Sequence, residues 1–245
     1  MSSVWSKVGI IAKKDIQMYY FKGPVLIFGI LFPLFLFLAF SIGRDLPAAF
    51  LIPGLVAMTI FFTSTSVSPV IAPWETQMRT LERLISCPIT VRTMILGDII
   101  ASFIFGACIS AVPIAVGVAI GVCVRSPLIL AIAVLLSAFC FSCLGLLFSS
   151  HPTNLVSDIM MLSTFVKFPV IFVSGIFIPL ENMSNWGVVV ASLSPLTYFT
   201  DLARFSIQGY SYYPIYVDFM ALLVYSALFL LLAVKLHERA LPKRF

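Results

Sequence analysis

Charged residues are scarce in this chain, and their scarcity decides the class of protein. Asp, Glu, Lys and Arg make up only 10% of the 245 residues, whereas 61% are hydrophobic and the mean hydropathy is +1.10. Soluble domains carry roughly 25% charged and about 45–50% apolar residues. A soluble domain is therefore excluded, and the composition predicts an all-α polytopic membrane protein that forms a single domain over residues 1–245.

Motifs for catalysis and for nucleotide binding are also missing. The two histidines, His151 and His237, lie far apart, and the CxxC of Cys140 and Cys143 has no second Cys or His pair to complete a zinc site. The chain lacks a G-x-x-x-x-G-K-[ST] phosphate loop. We therefore expect that it is not an enzyme and holds no cofactor or metal, so that any ATP-driven activity depends on another polypeptide.

Six apolar runs reach the length of about 20 residues that a membrane span requires. They cover residues 24–42, 49–72, 94–122, 128–149, 157–178 and 214–235. The preceding residues, 1–23, place apolar side chains on one side and lysines on much of the other, which predicts an amphipathic helix lying on the membrane surface. Within the third predicted span, Gly117 and Gly121 form a G-x-x-x-G that permits close packing against another helix.

Basic residues predict the orientation in the membrane. With six spans, 11 of the 15 Lys and Arg residues fall on one side, in the N-terminal segment, the segment 73–93 and the C-terminal tail. Three fall on the other side, and Lys167 falls inside a span. Since short cytoplasmic segments are enriched in Lys and Arg, both termini are expected in the cytoplasm. Topology thus explains the basic excess, and no nucleic-acid partner is expected.

The segment 74–88 is the longest polar stretch between two strongly apolar ones. Its charged residues are Glu75, Arg79, Glu82 and Arg83. Its apolar residues are Leu81, Leu84 and Ile85, and Pro88 ends it. This pattern predicts a short amphipathic helix at the cytoplasmic surface, where a soluble partner can hold it; a solvated loop is the alternative. The N-terminal helix is expected to brace this segment, to anchor in anionic lipid through its lysines, or to do both.

The stretch between the fifth and sixth predicted spans, 179–213, is moderately apolar but broken by prolines and a glycine. It is too short for two spans and predicts two short helices that dip into the outer leaflet and pack on protein. Asp201 and Arg204 lie three positions apart there and are expected to form a local pair. With Pro195 and Tyr198 they are assigned a structural role in this hairpin; substrate gating is the alternative.

Lys167 falls near the middle of the fifth predicted span. A charge there is costly and usually faces the interior of the helix bundle or a water-filled cavity. We interpret Lys167 as lining a substrate path, together with the nearby Phe165 and Phe168. The alternatives are a pair with an acid such as Asp98 or Asp158, snorkelling to the surface and, for the phenylalanines, plain contact with lipid.

Three stretches together resemble the membrane subunit of a type-2 ABC exporter. They are Glu75 with Thr80-Leu81-Glu82-Arg83-Leu84 and Pro88, then Ser174-Gly175-Ile176-Phe177-Ile178-Pro179-Leu180, then Ser194-Pro195-Leu196-Thr197-Tyr198 with Asp201 and Arg204. They are similar to the family patterns E-R-E-x-G-T-L-E-x-L…P, S-G-x-x-x-P and N-P-x-T-Y…R. This chain has Arg79 where the family commonly has glycine, which predicts a helix that continues through that position.

The resemblance implies a half-transporter in the plasma membrane, surrounded by lipid. Two permease subunits, as a homodimer or a heterodimer, form the path, and cytoplasmic ABC ATPase subunits hold the ATP and Mg²⁺. The docking residues that it implies are Glu75, Arg79, Leu81, Glu82 and Arg83. The expected substrate is hydrophobic or amphipathic, drug-like or lipid-like. A polysaccharide, haem or ion exporter of the same layout is the alternative within this class, and an ATP-independent channel or scaffold is the alternative outside it.

Overall fold

The computed structural model describes residues 4–22, 25, 27–42, 47–80, 86–87, 89–151, 153 and 155–240. All regular secondary structure in these residues is helical. The helical stretches that are long and apolar enough to cross a membrane are Ala48–Gln77, Val91–Ala119, Pro127–Ser149, Val156–Val173 and Ile215–Ala240. The all-α membrane class that the composition predicts is thereby confirmed.

The helices follow one another with short connections. α1, Val4–Asp15, continues as a π-helical turn, Ile16–Tyr20, and a second π-helical turn, Ile27–Leu31, leads into α2, Phe32–Ser41. The remaining helices are α3 (Ala48–Ser64), α4 (Ser68–Gln77), α5 (Val91–Ala119), α6 (Pro127–Ser149), α7 (Val156–Val173), α8 (Asn185–Ser192), α9 (Pro195–Gln208) and α10 (Ile215–Ala240). The described part of the predicted first span is helical, and the count of six spans stays a prediction.

α3 lies at the centre of the molecule. Every residue from Ile52 to Ser64 is buried, and α2, α5, α6 and α9 surround the helix. A helix that is apolar on all sides is buried inside a protein rather than at its surface. Phe61 packs edge-on against Phe141 of α6, with ring centroids 5.1 Å apart. α7 and α10 leave many more large apolar side chains exposed, as expected for helices that face lipid or another subunit.

α1 packs against the beginning of α5. Val8 and Ile11 are buried, and a Cβ added at Gly97 of α5 would stand 2.5 Å from Cγ2 of Ile11. The absence of a side chain at Gly97 therefore permits the close approach of the two helices. On the other side of α1, Trp5 and Ile10 are exposed and leave apolar surface for lipid.

Glycines also let α5 approach α3 closely. A Cβ added at Gly106 would stand 2.0 Å from Oγ of Ser64, and one added at Gly117 would stand 2.9 Å from Cγ2 of Ile52. Gly121, by contrast, has nothing within 4 Å of an added Cβ and lies beyond the end of α5. The helix that packs on the predicted G-x-x-x-G is therefore α3 of the same chain, and Gly117 makes the contact.

Between α7 and α10 the chain forms a 3₁₀ turn, Leu180–Asn182, and then the two short helices α8 and α9. α9 is largely buried and packs on α3, α6 and α10, whereas α8 exposes Trp186 and Val189. Two short helices thus lie where the sequence pattern predicts them. Their depth in the outer leaflet stays a prediction.

Replacing Gly145 of α6 with alanine is expected to destabilise the protein. The added Cβ would stand 2.2 Å from Oγ of Ser68 and 3.3 Å from the backbone of Thr65, and overpacking of this kind costs about 1–3 kcal/mol. The measurement is the thermal unfolding midpoint of the purified chain in a mild detergent.

Gly9→Ala in α1 is the matched control for this substitution, because no atom lies within 4 Å of a Cβ added at Gly9. Its midpoint should equal or exceed that of the wild type, since alanine favours the helix over glycine by about 1 kcal/mol. Equal midpoints for Gly145→Ala and Gly9→Ala would contradict the close packing of α6 on the second span.

Candidate functional site

The second predicted span is broken where α3 ends at Ser64 and α4 begins at Ser68. Between them, the hydroxyl of Thr65 donates to the carbonyl oxygen of Phe61 at 2.6 Å. Local bonds of this kind compete with the regular helical hydrogen bonds. Pro69 completes the interruption. In a continuous helix the N–H of residue 69 would donate to the carbonyl oxygen of Thr65, but proline has no N–H.

Lys167 of α7 supplies the missing donor. Its Nζ donates to the carbonyl oxygen of Thr65 at 2.6 Å, and the residue is only 8% exposed. The acids weighed above as its partners, Asp98 and Asp158, form no ion pair with it in the described part of the chain. A backbone carbonyl that loses its helical partner at membrane depth needs another donor, so a side chain that binds it stabilises the break. Lys167 thereby joins α7 to the second span.

A cavity of about 380 Å³ lies beside this contact. Its walls come from the end of the N-terminal segment and α2, from both sides of the break, and from α7. The volume falls at the lower end of the range of about 300–1,000 Å³ that is typical of small-molecule sites. Of the residues predicted to line a path, Lys167 and Phe168 line this cavity, whereas Phe165 is 77% exposed and lies outside it.

α1 is attached to the end of α4 through charges. Nζ of Lys14 binds the carboxylate of Glu75 and lies 3.0 Å from that of Asp15. Glu75 is 1% exposed, so its carboxylate faces α1 and not the protein surface. Burial lowers the pKa of Lys14, but the two carboxylates outweigh burial and hold this pKa above its usual value. Lys14 is therefore charged at neutral pH and bridges the two helices.

Aromatic contacts reinforce this attachment. The rings of Tyr19 and Trp74 stack with centroids 5.6 Å apart and an interplanar angle of 22°. Nζ of Lys22 lies 5.8 Å from the centre of the Trp74 ring and 5.7 Å from that of the Tyr19 ring, within the range of cation–π interactions. These contacts join the N-terminal segment to Trp74 and Glu75 at the end of α4. Bracing of the residues that follow α4 stays a prediction. Anchoring in anionic lipid stays a prediction.

The chain turns immediately after α4. The helix ends at Gln77, and Arg79 has a left-handed backbone with φ of 54°. The prediction that the helix continues through Arg79 is therefore wrong. Position 79 has the type of conformation that glycine adopts readily, although its side chain is an arginine. Three further residues predicted to dock the ATPase lie outside the described residues, and their role stays a prediction: Leu81, Glu82 and Arg83.

The outer hairpin is held by bonds from side chains to the backbone. The carboxylate of Asp201 accepts from the N–H groups of Tyr212 and Tyr213 at 2.9 and 2.8 Å. Nη2 of Arg204 donates to the carbonyl oxygen of Gly175 at 2.6 Å. Burial raises the pKa of Asp201 and lowers that of Arg204. The expected local pair is not among the ion pairs of the described residues; each of the two side chains binds a different stretch of backbone.

Two other residues of the hairpin also act within it. Pro195 occupies the first position of α9, where a missing N–H costs nothing. The hydroxyl of Tyr198 donates to the carbonyl oxygen of Ser192 at 2.7 Å, which joins α9 to the end of α8. These contacts give Pro195 and Tyr198 clear structural positions.

Apolar helices around a buried central span define a polytopic membrane protein. The model of the family described as ABC-2 type transporter matches residues 6–208, and the chain belongs to this family. The resemblance to this family is thereby confirmed. The chain is a multi-pass membrane permease of the ABC type, a class that works with an ABC ATPase.

Curated relatives carry a matching description. The inner membrane transport permease YadH of Escherichia coli strain K12 is 24% identical over 194 residues, which cover 78% of this chain and 74% of the relative. The proteins of the same name from Escherichia coli O157:H7 and Shigella flexneri match to the same extent.

The break in the second span was not predicted from the sequence. Two sequence features indicate the break. Residues 63–68 are rich in serine and threonine, and Pro69 and Pro73 follow them four positions apart. Hydropathy alone treats such a run as one span. The hydrogen-bond acceptor of Lys167 could not be predicted from the sequence, because it is a backbone oxygen.

Replacing Lys14 with methionine is expected to loosen α1 from the rest of the protein. The substitution leaves the buried carboxylates of Asp15 and Glu75 without their cation. Because Lys14 itself is partly exposed, the expected loss of folding free energy is about 1–3 kcal/mol. Hydrogen exchange of the amides of residues 4–20 should become faster. Lys13→Met is the control, because Lys13 is exposed; equal exchange in the two variants would contradict the bridging role of Lys14.

Replacing Arg79 with glycine is expected to stabilise the folded chain by about 1 kcal/mol, because glycine adopts a left-handed backbone without the strain that a Cβ causes. Arg79→Ala removes the same charge but keeps the Cβ, so it should bring no such gain. Thermal unfolding of the two variants in detergent separates the effect of the backbone from that of the charge. A gain of the same size in both variants would assign the effect to the charge.

Proposed function

We propose that this chain is the permease half of an ABC exporter that moves hydrophobic or amphipathic compounds outward across the plasma membrane. The cavity beside Lys167 is the observation that carries the proposal. Its walls are largely apolar and come from three separate stretches of the chain, so a movement of one stretch changes its shape. Drug-like or lipid-like compounds are the substrates that such walls favour.

The break in the second span supplies a hinge for energy coupling. α3 is buried on all sides, whereas α4 is separated from it by residues 65–67 and is attached to α1. We infer that an ATPase bound at residues 78–88 moves α4 about this break. Val70 and Trp74 of α4 line the cavity, so the movement would reshape it. Arg79, Leu81, Glu82 and Arg83 are the residues that we assign to the ATPase contact.

A second permease subunit is the partner that we assign to the exposed face beside the cavity. Phe35 of α2 is 63% exposed, and Met161 and Phe165 of α7 are 76% and 77% exposed. α2 and α7 are the helices that flank the cavity. A second copy packed there would complete the path between two subunits, and a heterologous permease with a similar face would do the same.

The orientation that we propose follows from the basic residues. The N-terminal segment, residues 73–93 and the C-terminal tail carry most of the Lys and Arg, and such segments stay in the cytoplasm. The residues proposed to dock the ATPase then lie on the side where ATP is available. α8 and α9 lie on the opposite side.

The proposal is tested by isolating the tagged chain from its own host in a mild detergent and identifying co-purifying proteins that carry an ATP-binding phosphate loop. We expect an ABC ATPase to co-purify. The double reversal Glu82→Lys/Arg83→Glu should abolish its recovery, because it inverts the charges at the proposed contact. A folded chain from which no ATPase is recovered under several mild conditions would favour an ATP-independent channel or scaffold.

A further inference from the structure

Two polar side chains of α7 that line the cavity have hydrogen-bonding capacity left over. The ammonium group of Lys167 has three N–H donors, and the carbonyl oxygen of Thr65 accepts from one of them. Ser163 lies one helical turn earlier, is only 3% exposed, and its hydroxyl has no hydrogen-bond partner among the described residues. Both side chains line the cavity. Buried polar groups are normally satisfied, so unsatisfied ones that line a cavity indicate a ligand that binds them.

The charge of the cavity has one sign. Its described lining includes two cations, Lys167 inside and Lys22 at the exposed edge, and no Asp or Glu. A buried ammonium is stable only when hydrogen bonds or an opposite charge compensate it. The described residues supply Lys167 with one carbonyl oxygen and no carboxylate. A ligand with an acidic group would supply the missing charge.

The other side chains that line the cavity are mostly apolar. It includes Phe32, Phe62, Val67, Val70, Trp74 and Phe168. Rings and branched side chains of this kind bind a hydrocarbon chain or a fused ring system without specific hydrogen bonds. At about 380 Å³, the cavity has room for one such apolar group.

We propose that the substrates of this permease are amphiphiles with an acidic head group, which binds Lys167 and Ser163 while the apolar part lies against the aromatic walls. This inference rests on the proposed exporter function and specifies its substrate class. Lys22 at the edge attracts the same acidic group as it approaches the cavity. The acid reaches the site either as a free compound from the cytoplasm or as an anionic lipid from the inner leaflet.

Binding of radiolabelled palmitate and of its uncharged methyl ester to the full chain tests the proposal. The chain is held in nanodiscs of phosphatidylcholine, which adds no net charge. Palmitate should bind about 10-fold more tightly than the ester, because bonds between charged groups are stronger than neutral ones. Lys167→Met should abolish this preference, Lys167→Arg should retain it, and Ser163→Ala should reduce it.

Two exposed positions provide matched controls. Lys235→Met removes a lysine from α10 and Ser157→Ala removes a hydroxyl from α7, both at exposed sites outside the cavity; both should keep the preference. Lys167→Met also leaves the carbonyl of Thr65 without its donor, so elution as a folded species in size-exclusion chromatography is required of every variant. Ser163→Ala removes no hydrogen bond of the described structure and tests the site independently of stability.

Equal affinities for acid and ester in the wild type, a preference that survives both Lys167→Met and Ser163→Ala, or binding of neither probe would each overturn the proposal. Adding phosphatidylglycerol to the nanodiscs identifies the source of the acid. Competition with palmitate indicates an anionic lipid, and undiminished palmitate binding indicates a free acid. This assay needs no ATPase. A negative result would therefore overturn the substrate class alone, whereas failure to recover an ATPase would overturn the exporter function.

Discussion

In the hydrocarbon core of a membrane, a backbone carbonyl that loses its helical partner needs another donor from the protein or from an enclosed water. The break in the second span creates such a carbonyl at Thr65, because Pro69 has no N–H to offer it. Lys167 binds this oxygen and so joins α7 to the break between α3 and α4. The cavity lies where these three helices meet, and residues from both sides of the break line it. The contact between Lys167 and the carbonyl of Thr65 therefore lies in the wall of the cavity.

The same constraint operates at the opposite end of α3. Pro53 has no N–H for the carbonyl oxygen of Ala49, and Nε2 of Gln208 at the end of α9 donates to that oxygen at 3.0 Å. One turn earlier in α9, Arg204 binds the carbonyl oxygen of Gly175, beyond the end of α7. Long polar side chains thus satisfy backbone oxygens that the helices leave free. These bonds attach α9 to two spans, which explains why this short helix packs so closely on the bundle.

The class and most helices could be predicted from sequence, since apolar runs of about 20 residues have few alternatives to membrane helices. The break was missed because Pro69 interrupts the hydrogen bonds of residues 49–72 without changing their hydropathy. The partner of Lys167 is a backbone oxygen, which every residue has, so no side-chain pattern could indicate it. The prediction at Arg79 was wrong because the absence of glycine indicated a continuous helix, whereas the backbone turns there in a left-handed conformation that arginine also adopts.

Lys167 also connects the state of the cavity to the geometry of the break. One ammonium group binds Thr65 and, in the proposed complex, the acidic head group as well. A ligand that binds Lys167 without breaking its bond to Thr65 stabilises the present arrangement of α3 and α4. A ligand that draws Lys167 away leaves the carbonyl of Thr65 without this donor. If the proposed movement of α4 shifts Lys167, linkage requires that ligand binding and this movement favour or oppose each other by the same free energy. In the proposed mechanism, the contact between Lys167 and Thr65 couples substrate binding at α7 to the movement of α4.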